Sequence, residues 1–241
     1  MNHVYRLKRS GRNQQLQPVP ENARSASKGA TRSHTSLVQI VGGTLASFAL
    51  SGLAGLAFAQ QAPPAANQLP QGGVVTRGSA NILTNTGNAQ LTVNQSSSRA
   101  VIDWASFNVG SQAKVQFNQP GSSAVVLNNI VGNNASQIYG QISANGQVFL
   151  SNPNGVYFSP TAQVNVGGLV ATTGKANADE FMAGKASFNR AGSTASVVND
   201  GQLNAALGGY IALLAPEVRN QGVIVAQAGT VALAAGEVIT L

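Results

Sequence analysis

From residue 72 onward the apolar residues fall in short runs set among Asn, Gln, Ser, Thr and Gly rather than among charges. The clearest are Gly73-Val74-Val75, Leu91-Thr92-Val93, Val115-Gln116-Phe117, Val125-Val126-Leu127, Val148-Phe149-Leu150 and Val164-Asn165-Val166. Asn-Gly, Gly-Asn, Pro-Gly and Asn-Pro pairs separate them. Runs rich in β-branched and aromatic residues, bounded by such turn pairs, predict strands. Helical periodicity is scarce. A sandwich or an antiparallel barrel also consists of many short strands, and the C-terminal third discriminates. Asn199-Asp200-Gly201-Gln202-Leu203-Asn204-Ala205 recurs as Asn220-Gln221-Gly222-Val223-Ile224-Val225-Ala226, shifted by 21. Ile211 to Val218 recurs as Val231 to Val238, shifted by 20. A period near 20 predicts a β-solenoid whose coils each give two or three short strands.

In such a solenoid equivalent side chains form ladders at about 4.8 Å per layer. Val, Ile, Leu and Ala fill the interior, and Asn and Gly take the corners, where positive φ or side-chain-to-backbone bonding is needed. At this period the chain after Ala59 predicts roughly nine coils and a rod of about 40 Å. The segment near 72–95 reads as an N-terminal cap. Leu241 falls inside a repeat, which leads one to expect a longer natural chain or a truncated reading frame. Lys175 to Asn189 breaks the pattern and predicts a surface helix or a solvated loop.

Upstream the pattern changes. Residues 37–59 carry no charge over 23 positions and end in Ala57-Phe58-Ala59, a small-x-small exit that signal peptidase accepts before Gln60. An uncleaved membrane anchor is the alternative, since more than about 18 apolar residues span a bilayer. The expected organisation is a signal peptide over 1–59, a Pro-Ala-rich linker over 60–71 and a β-helix over 72–241.

Charge reinforces that division. The formal net charge is +7. Residues 1–36 hold seven Lys or Arg against Glu21, and residues 60–241 hold seven against six acids. The folded part therefore lacks the clustered basic residues of a phosphate-binding groove, and no nucleic-acid partner is expected. Cysteine is absent and both histidines, His3 and His34, lie upstream. Thiol, imidazole and most metal chemistry is thereby removed, so no enzyme and no cofactor is expected. Parallel β-helices also include carbohydrate-active enzymes, which need two facing carboxylates. Glu217 and Glu237 occupy equivalent repeat positions and are expected to stack one coil apart, as a repeat ladder rather than a catalytic pair. Tyr139, Tyr157, Phe158 and Tyr210 are candidates for a sugar-stacking patch, with core or corner packing the plainer reading.

The sharpest local signal is Asn145-Gly146-Gln147-Val148-Phe149-Leu150-Ser151-Asn152-Pro153-Asn154-Gly155-Val156, a strand, a tight turn and a strand. Pro153 presets φ for the turn, and Asn154-Gly155 can take positive φ. This stretch resembles the signature of the two-partner secretion domain of the filamentous haemagglutinin family. Ile102-Asp103-Trp104-Ala105-Ser106-Phe107-Asn108-Val109-Gly110 is similar to that family's Trp-x-x-Phe-Asn-x-Gly segment. Gln137 to Ile142 and Gly167 to Thr173 flank the turn in the family's order. Met1 to Lys8 resembles the extended signal peptide region of very large exported Gram-negative proteins.

The resemblance implies a right-handed parallel β-helix with an N-terminal cap. It implies export by the general secretory machinery, with cleavage by signal peptidase. It further implies recognition by an outer-membrane β-barrel partner with periplasmic binding domains, and release to the cell surface. Asn152, Pro153, Asn154 and Gly155 carry over as required for secretion, by recognition or by nucleating the fold, and Trp104, Phe107 and Asn108 carry over with them. A second Asn-Pro-Asn motif found upstream in some members has no match here, since the nearest text is Asn118-Gln119-Pro120-Gly121. Family members include adhesins, cytolysins and contact-dependent toxins, so direct binding to a host or neighbouring cell is the rival reading.

Overall fold

The computed structural model describes residues 5–9, 16–20 and 62–241, in two compact units, residues 1–56 and 57–241. In the first unit Tyr5–Arg9 pairs antiparallel with Leu16–Pro20, Tyr5 opposite Pro20. The apolar stretch 37–59 and the cleavage residues Ala57, Ala59 and Gln60 lie outside the described residues.

The second unit is a parallel β-helix. Its first sheet stacks Gln90–Gln95, Lys114–Asn118, Gln141–Ala144, Gln163–Val166, Gln202–Ala205 and Val223–Ala226 in parallel. The second stacks Arg99–Trp104, Val125–Ile130, Gln147–Ser151, Gly168–Thr172, Tyr210–Leu214 and Thr230–Ala234. The third is shorter, with Ser136–Ile138, Val156–Phe158, Ser196–Asn199 and Glu217–Asn220. An antiparallel layer, Val74–Arg77 and Ala80–Asn85, adds a seventh strand to each of the first two sheets and closes the N-terminal end.

Six parallel coils stand where nine were expected, and seven layers at about 4.8 Å give roughly 30 Å of rod. The reason is uneven coil length. Along the first sheet the register runs Gln90, Lys114, Gln141, Gln163, Gln202 and Val223, steps of 24, 27, 22, 39 and 21 residues. The period read from the C-terminal repeat holds in the last coil, where Gln202 pairs with Val223 and Tyr210 with Thr230, and between the third and fourth coils, where Gln147 pairs with Gly168. Longer corners and one large excursion take up the rest.

The two main sheets differ in chemistry. The first alternates strictly: Leu91, Val115, Ile142, Val164 and Leu203 point inward and are at most 1% exposed, while Gln and Asn side chains face out. Asn118 Nδ2 donates to Asn94 Oδ1 at 2.8 Å, and Asn204 Nδ2 to Asn165 Oδ1 at 3.0 Å, so amide ladders cover that face. The second sheet is apolar on both faces. Its inward side chains Val126, Val148, Leu169 and Ile211 join the main core. Its outward ones, Val101, Leu127, Phe149, Val170 and Ala212, form a separate cluster. As far as Tyr210–Leu214 both faces are covered, which is why these strands read as apolar runs.

The cover is the excursion. Lys175–Ala176 pairs with Ser187–Asn189, and Ala178–Met182 is a short helix capped by Asn177, whose Oδ1 accepts from the Asp179 and Glu180 N–H groups. The charged residues face water, as the solvated-loop reading expects. Phe181 and Phe188, however, are 0% and 2% exposed and pack on Phe149. The segment is a lid over the second sheet rather than a free loop.

Candidate functional site

The two sequence motifs sit at one corner of the helix, where the second sheet hands over to the third. Trp104 ends the second-sheet strand of the first coil. Asn152 follows Ser151, whose register row runs through Asn129 to Asp103. The Asn152 turn therefore lies at the Trp104 corner two coils further on.

Asn152 is wholly buried. Its Nδ2 donates to the Asn134 carbonyl at 3.0 Å and to Ser136 Oγ at 2.9 Å. Its Oδ1 accepts from the Asn154 N–H at 2.9 Å, and its carbonyl accepts from the Gly155 N–H at 3.0 Å. This is a side-chain turn nested in a β-turn, with Pro153 fixing φ at the second position. Gly155 has φ 111°, a region L side chains rarely adopt, and a Cβ there would lie 3.1 Å from the Ser196 carbonyl oxygen. Asn154, contrary to the expectation of positive φ, stays outside the left-handed region. It is exposed, and its Nδ2 donates to the Gly132 carbonyl at 2.8 Å. Asn152 and Gly155 are thus buried, Pro153 is half-buried and Asn154 is exposed.

The turn also gathers the ends of the excursion. Ser151 Oγ donates to the Gly174 carbonyl at 2.8 Å, and Ser193 Oγ donates to the Pro153 carbonyl at 2.7 Å. The Asn152 N–H donates to the Thr172 carbonyl at 2.9 Å. Layers two, three and four meet at this corner.

Trp104 is 1% exposed and meets Phe107 edge to face at 5.5 Å. Its Nε1 donates to Asn128 Oδ1 at 3.0 Å, and Asn128 Nδ2 donates to the Phe149 carbonyl at 3.2 Å. A buried polar chain thereby joins the first three coils inside the helix. Gly73 of the cap lies on the indole, where a Cβ would come within 2.5 Å of Cζ3. Asn108 Oδ1 accepts from the Gln137 N–H at 2.8 Å, joining the first coil to the second.

Sequence reasoning missed one corner. Gln119, in the stretch set aside as unmatched, is 7% exposed and donates to Gln95 Oε1 and to the carbonyls of Ala124 and Gln147. Asn145 Oδ1 accepts from its N–H and Asn145 Nδ2 donates to its carbonyl, both at 2.7 Å. The available signal was positional: Gln95 and Gln119 both follow an outward Asn at the C-terminal end of an alternating run.

Other candidates separate. Glu217 and Glu237 do not stack. Glu217 lies beside Ser196 in the third sheet and pairs with Arg219 at 2.6 Å. Glu237 pairs with Arg190, because Val238–Thr240 leaves the coil to pair antiparallel with Ser187–Asn189. Phe158 is core at 0% exposure. Tyr139 and Tyr157 meet edge to face at 6.0 Å, half-buried, and the Tyr157 hydroxyl donates to Asp200 Oδ2 at 3.0 Å. Burial first, and then Asp200, pushes the Tyr157 hydroxyl up to about 12. Tyr210 donates to Gln147 Oε1 at 2.7 Å and is pushed up to about 12 by burial. These rings pack rather than line a shared groove.

This capped parallel β-helix is the fold of a class, the secretion domains of exported proteins. The chain belongs to it: the family model described as TPS secretion domain, for two-partner secretion, matches residues 66–241. The model described as extended signal peptide of the type V secretion system matches residues 1–50. The HMW1 secretion domain of Haemophilus influenzae has a similar structure, at TM-score 0.67 and 33% identity, over 71% of this chain and 46% of that one. The filamentous hemagglutinin secretion domain overlaps 70% of this chain and 65% of its own, at 18% identity and TM-score 0.48. Two heme/hemopexin-binding proteins of Haemophilus influenzae are 47% and 50% identical over 108 and 84 residues, 45% and 35% of this chain. The chain spans 12% and 9% of those proteins' length. This is the secretion domain of a secreted Gram-negative exoprotein, in a family of secretion domains not known as enzymes.

Proposed function

We propose that residues 72–241 are the part of an exported protein recognised by the periplasmic domains of a partner β-barrel in the outer membrane. Residues 1–59 direct the chain across the inner membrane by the general secretory route. Signal peptidase cuts after Ala59, leaving Gln60 first, and residues 60–71 link the leader to the domain. The signal-peptide match over residues 1–50 and the small-x-small exit at Ala57 and Ala59 support this order. Intact mass of the secreted product tests it. A mass beginning at Gln60 is expected, and one that includes residues 1–59 overturns it.

Within the domain, the Asn152–Gly155 corner acts by completing the fold. The observation that carries this is the full burial of Asn152 together with its bonds to the preceding coil. Trp104, Phe107 and Asn108 serve the same end beside the cap. A buried side chain is read by a partner only before the corner forms, by strand pairing with the extended chain. Asn152→Ala and Gly155→Val are therefore expected to lower secretion and thermal stability together, in a strain carrying the cognate barrel. Lost secretion at an unchanged unfolding midpoint would instead assign the corner to direct recognition.

A further inference from the structure

The excursion has a role beyond covering a face. It leaves the helix after the fourth second-sheet strand and returns at Ser196–Asn199. In between it crosses back over earlier coils. Phe181 lies edge to face on Phe149 of the third coil, at 5.7 Å. The Arg99 guanidinium of the first coil stands 5.3 Å from the Phe181 ring centroid, and its Nη1 donates to the Phe181 carbonyl at 3.3 Å. Arg77 of the cap pairs with Asp179 at 2.9 Å, across 102 residues of sequence. Both ends are held at the Asn152 corner, Gly174 by Ser151 and Ser193 through the Pro153 carbonyl.

We infer that residues 174–193 are a strap, latched at both ends on the Asn152–Gly155 corner, which closes after the cap and first four coils have stacked and locks them into one cooperative unit. The physical ground is contact order. In the two large sheets coils one to four stack through neighbours some 21 to 27 residues apart, whereas the strap closes loops of 82 and 102 residues. Until it docks, Val101, Leu127 and Phe149 show an apolar stripe to water. Docking of the strap on the early coils therefore waits on residues as late as Ser193, and a chain halted before them lacks both lid and latch. Where the secretion reading holds, this keeps the early coils pliable while the chain is in transit.

Stopped-flow folding and unfolding of the purified full chain in denaturant tests the inference without any partner, so its failure is distinct from failure of the secretion reading. Phe181→Ala is expected to speed unfolding at least tenfold while refolding changes less than about twofold, as for contacts absent from the transition state. If Phe181→Ala does not fold, Phe181→Leu and Arg99→Met carry the same comparison at smaller amplitude. Ser193→Ala combined with Phe181→Leu tests the latch, and non-additive unfolding rates are expected. Refolding slowed in step with lost stability would place the strap in the folding nucleus and overturn late closure. Strict additivity would overturn the latch.

Discussion

At the residue scale, polar side chains at corners do as much as apolar side chains in ladders. A β-helix has no local helix bonds or hairpins along most of its length, so each coil must be told where to turn. The buried Asn152 and Gln119 and the half-buried Asn108 do this by spending side-chain amide groups on backbone partners of the neighbouring coil. Removing one member leaves the others unsatisfied, which costs about 1–3 kcal/mol per buried group. Asn152→Ala, which strips several bonds at once, is expected to lower stability by roughly 2–4 kcal/mol on that scale. Trp104→Phe keeps the ring but leaves Asn128 Oδ1 without its donor, and a loss of about 1–3 kcal/mol is expected in chemical denaturation. The tyrosines give a pH prediction. Tyr157 and Tyr210 are raised to about 12 in the folded chain, above the ordinary value of 10.0. A raised acid contributes stability fully below its unfolded value and loses it as pH climbs toward the folded one. The unfolding midpoint is expected to hold up to about pH 10 and to fall between about pH 10 and 12. Tyr157→Phe and Tyr210→Phe together should flatten that fall, and an equally steep fall in the double variant would refute the assignment.

At the scale of elements, the contrast between the two large sheets shows what was legible in the sequence. Strands such as Leu91-Thr92-Val93 and Val164-Asn165-Val166 alternate, and alternation names both the element and its buried face. Val148-Phe149-Leu150 and Ile211-Ala212-Leu213-Leu214 are continuous. They read as strands, but nothing local says what covers the outward Phe149 or Leu214. The cover comes from Phe181 and Phe188, a long-range contact that periodicity cannot encode. The same limit explains the coil count, because the repeat near 20 is visible only where neither corners nor the strap intervene. It also explains Glu237, whose strand leaves the coil to pair with Ser187–Asn189. The Asn152 turn, by contrast, was legible down to its fixed Pro and its positive-φ Gly, since turn chemistry is local. Phe149→Ala joins these levels. It removes a ring that Phe181, Phe188 and Tyr210 all touch, and a loss of about 3–5 kcal/mol is expected in equilibrium unfolding.

At the scale of the whole molecule, the chain divides its chemistry as it divides its sequence. The excess positive charge lies in the first 36 residues, and the β-helix is close to neutral. Its polar surface is built from amides rather than ions, which suits a rod stabilised by stacking and corners. Each added coil buries another set of inward Val, Ile and Leu side chains, at about 1.5–3 kcal/mol apiece. On the proposed export route, folding beyond the outer membrane would draw the chain outward without an external energy source. The direct test is secretion of the full chain in a Gram-negative host, with and without a partner outer-membrane barrel. The product should reach the medium only with the barrel, beginning at Gln60, and stay in the periplasm without it. Equal release in both strains would contradict the account.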